Sequence, residues 1–229
     1  MEYFILKHAV DTNETGSVDR QVIWRNPNQI DPNPLFIVNR AKDGEFPLDS
    51  LFPFDYLEVN KGAKLSDLMS SQFYNGFIVS EKLKNIFEES NISDYKFYDV
   101  KLFDKGKEIR GYYYFHSASC LRDYIDYPKS TFYIGQMLGK KIRDLKAQIN
   151  TYEDLVKIHK DLPIGDELLY PNSFYLSAKF PFNIDLFRLC AFDYNFYISK
   201  RLKQKIESNH ITGVSINPIN DFIKTPALA

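Results

Sequence analysis

The sequence is short of the features that mark disulfide-stabilised, membrane-spanning and secreted proteins. Its 229 residues include only 2 cysteines, Cys120 and Cys190, which cannot form a disulfide framework and fit reduced thiols better than one structural bridge. No apolar run approaches the roughly 20 residues that span a bilayer, and the apolar run at the N-terminus is too short for a signal peptide. We therefore expect a soluble, cytoplasmic protein that contains no membrane span.

Signals for binding nucleic acid, metals or cofactors are also missing. The net charge of -1 gives no electrostatic attraction to a polyanion or to anionic lipid. The 4 histidines are scattered without the spacing of zinc ligands, and no phosphate-binding loop or nucleophile motif occurs. The sequence thus predicts no catalytic residue, no metal site, no cofactor and no nucleic-acid partner.

One stretch does bring reactive residue types together in the sequence. His116 lies close to Ser117, Ser119 and Cys120. Nucleophilic catalysis needs a base and an orienting group that are correctly placed in space, which adjacency in the sequence does not supply. We therefore interpret this stretch as a polar loop that follows a strand.

Aromatic residues are abundant, with 19 Phe and 16 Tyr, and apolar patterns divide the chain into elements. Strands are predicted at residues 2–7, 21–24, 35–38 and 212–219, with one or two more within 173–192 and a loop at 25–34. Residues 94–116 predict a hairpin whose turn lies near 104–107, where Gly106 can adopt a positive φ. Helices are predicted at 66–70, at 134–145 from apolar residues three and four apart, and after a cap at Asn150 or Thr151.

A short sequence motif occurs twice in the chain in similar form, as GFIVSEKLKNIFEESNI at 76–92 and as NFYISKRLKQKIESNHI at 195–211. With an offset of 119 residues, six of the sixteen positions from 77 to 92 are identical to their counterparts at 196–211. The identical pairs are Phe77/Phe196, Ser80/Ser199, Leu83/Leu202, Lys84/Lys203, Glu88/Glu207 and Ile92/Ile211.

Each copy predicts an apolar strand that runs into a helix capped by a serine. Ser80 and Ser199 are suited to this position because a serine hydroxyl accepts from a backbone N–H that lacks a helical partner. Leu83 and Leu202 then begin the apolar face. We infer an α+β fold of two related strand–helix–strand halves from an internal duplication, with helices packed on mixed or antiparallel sheets. The halves would be residues 1–115 and 116–229; the alternative is two unrelated amphipathic helices of convergent composition.

Sequence segments within and between the two copies resemble those of a known protein family. The segments FIVSEKLKNIFEE, IDYPKS, DLFRL and FYISKRLKQKIESNHITGVSI together resemble the bacterial polymorphic-toxin immunity proteins of the immunity-protein-eleven type. The resemblance covers roughly residues 77–216. Its most specific part is C-terminal, where seven residues follow the order of the family: Phe187, Arg188, Leu189, Ser199, Leu202, Thr212 and Gly213.

The resemblance implies a protein without catalytic activity that binds a cognate secreted toxin domain and neutralises it. We expect the contacts in tyrosine-rich loops, with Tyr124 and Tyr127 as candidates. Arg188 lies in an apolar run, so we expect it to be buried and to reach a carboxylate or backbone carbonyls. Two hypotheses compete: an enzyme or small-ligand-binding protein with a site between the halves, and a structural partner in an unrelated assembly.

Overall fold

The computed structural model describes residues 2–16, 19–24, 44–49, 54–136, 139–163, 167–219 and 222–226. Within these ranges the chain forms strands in several sheets together with four α-helices. The predicted α+β class is therefore confirmed. The loop predicted at 25–34 and the strand predicted at 35–38 lie outside the described residues.

The described elements follow one another in chain order as strands, helices and short turns. The strands are β1 (Tyr3–His8), β2 (Val22–Trp24), β3 (Phe54–Val59), β4 (Leu68–Met69), β5 (Gly76–Ser80), β6 (Tyr95–Asp104), β7 (Lys107–Ile109), β8 (Tyr112–Ser117), β9 (Thr131–Gly135), β10 (Lys141–Asp144), β11 (Leu168–Tyr175), β12 (Leu186–Phe187), β13 (Phe196–Ser199), β14 (Val214–Pro218) and β15 (Ile223–Lys224). The helices are α1 (Thr12–Thr15), α2 (Glu81–Glu88), α3 (Tyr152–Asp161) and α4 (Lys200–Ser208). Two short 3-10 helices, Arg122–Tyr124 and Tyr127–Lys129, lie between β8 and β9.

Three sheets organise these strands. A seven-stranded sheet has the order β2-β3-β6-β8-β5-β4, and β7 pairs with β6 beside this path. The second sheet has the order β12-β13-β1-β14, and the third has the order β10-β9-β11-β15. Because β1 pairs with β13 and β14, the N-terminal strand joins a sheet of C-terminal strands. The division into domains at residues 1–115 and 116–229 remains a prediction.

The two copies of the repeat lie in the same arrangement of four strands. In the first copy β5 lies between β4 and β8, with β6 beyond β8; in the second β13 lies between β12 and β1, with β14 beyond β1. The registers correspond, since Phe77 of β5 faces Phe115 and its equivalent Phe196 faces Leu6. The third strand of the arrangement is β8 in the first copy and β1 in the second. These two strands come from different places in the chain, because β8 follows β6 whereas β1 is the N-terminal strand. The duplication is therefore not confirmed and remains our interpretation.

Each repeat helix begins at the serine that the sequence indicates. The Oγ atom of Ser80 accepts a hydrogen bond from the Leu83 N–H at 3.3 Å, and Ser199 accepts from the Leu202 N–H at 3.1 Å. The hydroxyls thereby satisfy backbone donors that have no partner inside the helix. Each serine N-cap contributes about 1 kcal/mol to helix stability.

An aspartate that immediately precedes a neighbouring strand in turn fixes each capping serine. The Ser80 hydroxyl donates to Asp67 Oδ1 at 2.6 Å, and the Ser199 hydroxyl donates to Asp185 Oδ1 at 2.6 Å. The serine N–H groups also donate to the aspartate carbonyls, at 2.8 Å and 2.9 Å respectively. A serine with both a donor and an acceptor role is therefore held in one rotamer at each helix start.

The same aspartates cross-link the two copies. Asp67, which precedes the first copy, accepts from the Thr212 N–H at 2.9 Å, and Thr212 follows the second helix. Asp185, which precedes the second copy, accepts from the Asn91 N–H at 2.9 Å, and Asn91 follows the first helix. Each aspartate thus ties the start of one helix to the chain that leaves the other.

The repeat helices share one hydrophobic core. Leu83 and Phe87 of α2 are buried in the same cluster as Leu202 and Ile206 of α4, together with the β5 and β13 strands that precede them. Burying one such side chain contributes about 1.5–3 kcal/mol. The structure has two further clusters, one among residues of β2, β3, β4, β5, β6 and β8 and the other around β9, β11 and α3.

Several local predictions are confirmed. The hairpin of β6 and β7 turns at Lys105 and Gly106, both with positive φ. Helix α3 starts at Thr151 with a capping box, in which Asp154 and Thr151 exchange hydrogen bonds at 3.0 Å and 3.3 Å. Pro163 follows the end of this helix. These features depend on residues close in sequence, so local chemistry is sufficient to predict them.

Two predicted helices are wrong. Residues 66–70 contain the short strand β4, which pairs with β5 through Leu68 and Val79. Residues 134–145 contain the end of β9 and all of β10, which pair with each other. Gly139 has a φ of +79°, which suits the turn between strands, and Phe132 and Ile134 alternate with less buried residues as strand periodicity requires. The helical spacing across 134–145 was coincidental.

Candidate partner-binding site

A groove opens where the N-terminal ends of the two repeat strands meet. Its walls come from the end of β1, from the segment that joins β4 to β5, and from the start of β13. Its volume is about 260 Å³. We call it the central groove; its lining residues are Leu6, Lys7, His8, Met69, Ser70, Ser71, Phe73, Tyr74, Gly76, Phe77, Tyr194, Asn195 and Phe196.

Aromatic rings from both repeat copies form the apolar wall of the central groove. The ring centroids of Phe77 and Phe196 are 4.5 Å apart, with planes inclined by 48°. Phe73 stacks on the buried Tyr114 at a centroid distance of 4.2 Å. Aromatic pairs in such arrangements contribute about 0.5–1.5 kcal/mol beyond the burial of their area. The wall is therefore a packed and preformed surface.

Two exposed tyrosines lie at the rim of the central groove. Tyr74 is 68% exposed and Tyr194 is 76% exposed, and they belong to the segments that enter β5 and β13. Tyrosine offers a large amphipathic contact area with only two side-chain torsions to immobilise. A pair of exposed tyrosines beside an apolar wall is suited to contact with another protein.

The loop that carries Tyr194 has an unusual backbone conformation. Cys190 and Phe192 have positive φ values of 55° and 58°, which non-glycine residues seldom adopt. Such a conformation persists only where surrounding contacts hold it. One of these contacts is the Tyr197 hydroxyl, which donates to Asp193 Oδ2 at 2.7 Å. The loop is thus anchored next to the residue that it exposes.

A buried polar cluster lies behind this loop. Burial raises the pKa of the Asp193 carboxyl, while hydrogen bonds from Tyr197 and Asn195 and the charge of Arg188 oppose the rise. The Asn195 side chain donates to Asp193 Oδ1 at 2.6 Å. Arg188 is 1% exposed, so its predicted burial is confirmed, and its guanidinium carbon lies 5.4 Å from the ring centroid of Phe196. Arg188 supports the groove from behind.

The lining of the central groove carries positive but no negative side-chain charge. No aspartate or glutamate is among its lining residues in the described part of the chain. Lys7 is exposed and makes no ion pair with any residue that the structure describes. The pKa of the His8 ring is lowered, mainly by its partial removal from water and also by the positive charge of Lys7. The negative charge of Asp19 opposes this effect without reversing it. At neutral pH the groove therefore has one formal charge, on Lys7.

The predicted signature residues belong to the scaffold rather than to the groove lining. Ser80 and Ser199 cap the helices, while Leu83 and Leu202 are fully buried. Gly213 has a φ of +77°, and a Cβ atom there would lie 2.1 Å from the carbonyl oxygen of residue 68. Only a glycine fits that conformation and that contact. A functional role for these positions remains a prediction.

The structure places the two tyrosines predicted for partner binding away from the central groove. Tyr127 is buried, and its hydroxyl donates to the Arg122 carbonyl at 3.1 Å. Tyr124 is half-buried and packs edge-on against Phe180 at a centroid distance of 6.1 Å. Of the two, only Tyr124 offers surface to a partner without rearrangement, and its contact with a partner remains a prediction.

The stretch that begins at His116 differs from the predicted polar loop. His116 and Ser117 are the last residues of β8, and the stretch is buried as far as Ser119. His116 Nε2 lies 2.9 Å from the Glu45 carbonyl, and because a carbonyl only accepts, Nε2 carries the proton. Nδ1 consequently accepts from the Tyr114 hydroxyl, also at 2.9 Å. Both ring nitrogens are occupied by structural hydrogen bonds.

The described residues also contain no group of three or more His, Cys, Asp or Glu side chains placed to hold a metal ion. Cys120 is half-buried and Cys190 is buried, and both are free thiols. The Cys190 thiol lies 3.7 Å from the Ser119 carbonyl oxygen, to which it donates. In this part of the molecule the central groove is therefore the strongest candidate for a functional surface.

Sequence reasoning missed the rim tyrosines, although a signal for them exists. A Tyr-Asn dipeptide precedes the first phenylalanine of each copy, as Tyr74-Asn75 before Phe77 and as Tyr194-Asn195 before Phe196. One extra residue, Gly76, separates the dipeptide from the phenylalanine in the first copy. An alignment without gaps therefore does not show that the Tyr-Asn pair occurs in both copies.

A family model described as Immunity protein family (Imm11) matches residues 2–221, which is nearly the whole chain. No curated protein matches the sequence.

Proposed function

Because the chain belongs to the immunity protein family Imm11, we propose that it neutralises a cognate secreted bacterial toxin by forming a stoichiometric complex with the toxin domain. The family match over residues 2–221 is the observation that carries this proposal. Inhibition by occupancy requires an interface of about 800 Å² on each partner and a few strong anchor residues, but no catalytic group.

The central groove supports this proposal as the place of contact. Tyr74 and Tyr194 supply exposed aromatic anchors on either side of an apolar wall that includes Phe77 and Phe196. Binding energy at protein interfaces is concentrated in a few such residues, with tyrosine among the enriched types. Because the wall is already packed before binding, fewer side chains have to be ordered in the complex, and the loss of conformational entropy on association is smaller.

We further propose that the protein meets its toxin in the bacterial cytoplasm as part of a polymorphic toxin system. Among the described helices, none is long and apolar enough to cross a membrane. The net charge of -1 disfavours a nucleic-acid partner. Both points are compatible with a partner that is a protein in solution.

The competing hypothesis is an enzyme or small-ligand-binding protein whose site lies between the two halves. The position of the central groove, between the strands of the two copies, is the observation that keeps this hypothesis open. Its volume of about 260 Å³ is below the roughly 300–1,000 Å³ of typical small-molecule sites. A protein contact therefore suits the groove better than an enclosed substrate.

The test is co-expression with the toxin domain that is encoded next to this protein, with survival and complex stoichiometry as the measurements. We expect protection to rise with the amount of this protein up to a one-to-one ratio and to be absent against a toxin domain from another system. Size-exclusion chromatography with light scattering should show a stable complex. Protection at strongly substoichiometric amounts, or survival without a complex, would contradict the proposal.

A further inference from the structure

We propose that the central groove receives a projecting loop of the toxin, in which an acidic side chain pairs with Lys7 and a neighbouring apolar side chain packs on Phe77 and Phe196. This inference rests on the proposed function and adds the chemistry of the contact. It names the face of this protein that is covered in the complex and the kind of residue that the toxin contributes.

The size of the groove decides what kind of group can enter it. Its volume is about 260 Å³, whereas an engineered apolar cavity of about 150 Å³ suffices for benzene. The groove thus has room for one large apolar side chain and part of a neighbouring residue. It cannot take a helix, which has a diameter of about 10–12 Å with its side chains. A loop with one or two projecting side chains is the form that fits.

The charge of the groove determines whether the group that binds there should be acidic or basic. Lys7 is exposed beside the apolar wall, and none of the lining residues carries a carboxylate. Within the described residues Lys7 has no ion-pair partner, so its charge is not neutralised by the protein itself. A bound carboxylate would complement this charge, and complementary charges at an interface favour the correct partner and its register.

The rim of the groove would strengthen this ion pair. Tyr74 and Tyr194 stand at the rim and would exclude water when a loop is seated between them. A charge pair that is screened from water attracts more strongly than one in solution. Ser71 and Asn195 are polar residues of the same lining, where polar groups can fix the orientation of the loop.

Nucleic acid is a poorer fit for the same surface, although aromatic side chains can stack on bases. Single-stranded nucleic acid is bound along a positively charged groove with several cations that follow the phosphates. Here Lys7 carries the only formal charge at neutral pH among the described lining residues. One cation and an apolar wall match one carboxylate on a protein better than a row of phosphates.

The first experiment measures the affinity of purified variants for the toxin domain made by cell-free synthesis. We expect Tyr74→Ala and Tyr194→Ala each to weaken binding by at least about 30-fold. Ile142→Ala is the matched control, because Ile142 is also an exposed apolar residue but lies on β10, outside the groove. Its affinity should equal that of the wild type. Wild-type affinity in both tyrosine variants would overturn the inference.

The second experiment tests the charge. We expect Lys7→Glu to weaken binding by at least about 10-fold more than Lys179→Glu, an identical charge change at an exposed turn outside the groove. Replacing each toxin Asp and Glu in turn by Lys should then identify one toxin variant that restores binding to Lys7→Glu. If the two lysine variants behave alike, or if no toxin variant restores binding, the acidic contact is wrong.

The third experiment separates this inference from its alternatives. The isolated protein is heated with sodium acetate, sodium phosphate or a short single-stranded DNA as probes. We expect none of them to raise the melting temperature in a manner that Lys7→Glu abolishes. Stabilisation by any of the three that Lys7→Glu abolishes would support a small anion or nucleic acid in the groove and overturn the protein loop. Failure of the wild type to bind the toxin at all would instead refute the proposed function.

Discussion

Phe77 and Phe196, the aromatic residues that stand at equivalent places in the two copies of the repeat, lie with their ring centroids 4.5 Å apart, although 119 positions separate them in the chain. The repeated text therefore marks the place where the two parts of the chain meet. The strands converge at their N-terminal ends, and the segments that enter them form the two sides of the central groove.

Pairing of these two rings should contribute to stability beyond the burial of each. Phe77→Leu and Phe196→Leu retain apolar bulk, so we expect both variants to fold with losses of about 1–2 kcal/mol each. In a double-mutant cycle measured by urea unfolding, the coupling energy should be about 0.5–1.5 kcal/mol. A control cycle of Phe77→Leu with Phe174→Leu, whose side chain lies in a different core cluster, should be additive. Additivity in the first cycle would show that the contact contributes nothing specific.

Replacement of Gly213 should be far more destabilising than replacement of a glycine of similar conformation on the surface. Gly213 and Gly106 both have positive φ, +77° and +80°. A Cβ atom on Gly213 would collide with the carbonyl oxygen of Leu68 at 2.1 Å, whereas one on Gly106 would meet nothing within 4 Å. We expect Gly106→Ala to cost about 1 kcal/mol and Gly213→Ala several times more. Equal losses in thermal unfolding would mean that the backbone at residue 68 adjusts freely.

The sequence predicted the features of the fold that are local. The caps at Ser80, Ser199 and Thr151 were predictable because a hydroxyl before an amphipathic run is sufficient to start a helix. The strand β9 could not be predicted in this way. Its pairing with β11 depends on residues distant in the sequence, and the apolar spacing at its end is that of a helix. Strand order likewise depends on β1, which is brought in from the N-terminus.

The central groove was not predicted for a related reason. Its wall contains Phe77 and Phe196, which the repeat did identify, but their contact is a tertiary event that periodicity cannot show. Its rim contains Tyr74 and Tyr194, which lie just outside the aligned text. The prediction of Tyr124 and Tyr127 rests on the tyrosine-rich composition of their loop alone, and the structure buries Tyr127 in the core around β9 and β11.

The Asp185 carboxylate should make the fold sensitive to strong acid. Burial alone raises its pKa, but hydrogen bonds from Arg201, Ser199 and the Asn91 N–H outweigh that effect and lower the pKa. A carboxyl with a lowered folded-state pKa stabilises the protein above its unfolded-state pKa, and this stability is lost as the pH falls through the folded value. We expect Asp185→Asn to cost about 1–3 kcal/mol at neutral pH and to flatten the decline in acid.

The matched control for this prediction is Asp67→Asn. Asp67 accepts from the equivalent serine, Ser80, but it is half-buried and has no arginine partner among the described residues, whereas Asp185 is 2% exposed and accepts from Arg201. We expect the loss at neutral pH to be smaller for Asp67→Asn than for Asp185→Asn in denaturant unfolding. A larger loss at Asp67 would show that the contact with the Arg201 guanidinium is unimportant.

His116 should give the fold a second pH dependence, at milder acidity. Burial of the ring lowers its pKa to about 4, with the Arg188 charge acting in the same direction and the Glu45 hydrogen bond opposing it. The unfolded chain therefore takes up a proton at higher pH than the folded chain does. The folded state is stabilised by a neutral His116. This stabilisation is fully present above the unfolded-state pKa of the ring and is lost as the pH falls toward about 4. The shift corresponds to roughly 3 kcal/mol.

Replacing His116 by glutamine should remove this dependence, because glutamine is neutral at every pH while its amide can still donate and accept. We expect His116→Gln to be less stable than the wild type at neutral pH, since the ring contacts with Tyr114 are lost, but to lose little further stability between about pH 7 and pH 5. Urea unfolding at a series of pH values gives the comparison. His210→Gln is the control, because His210 lies exposed in the turn after α4 and its replacement should preserve the slope of the wild type. If His116→Gln retains that slope, His116 is not the group whose protonation weakens the fold.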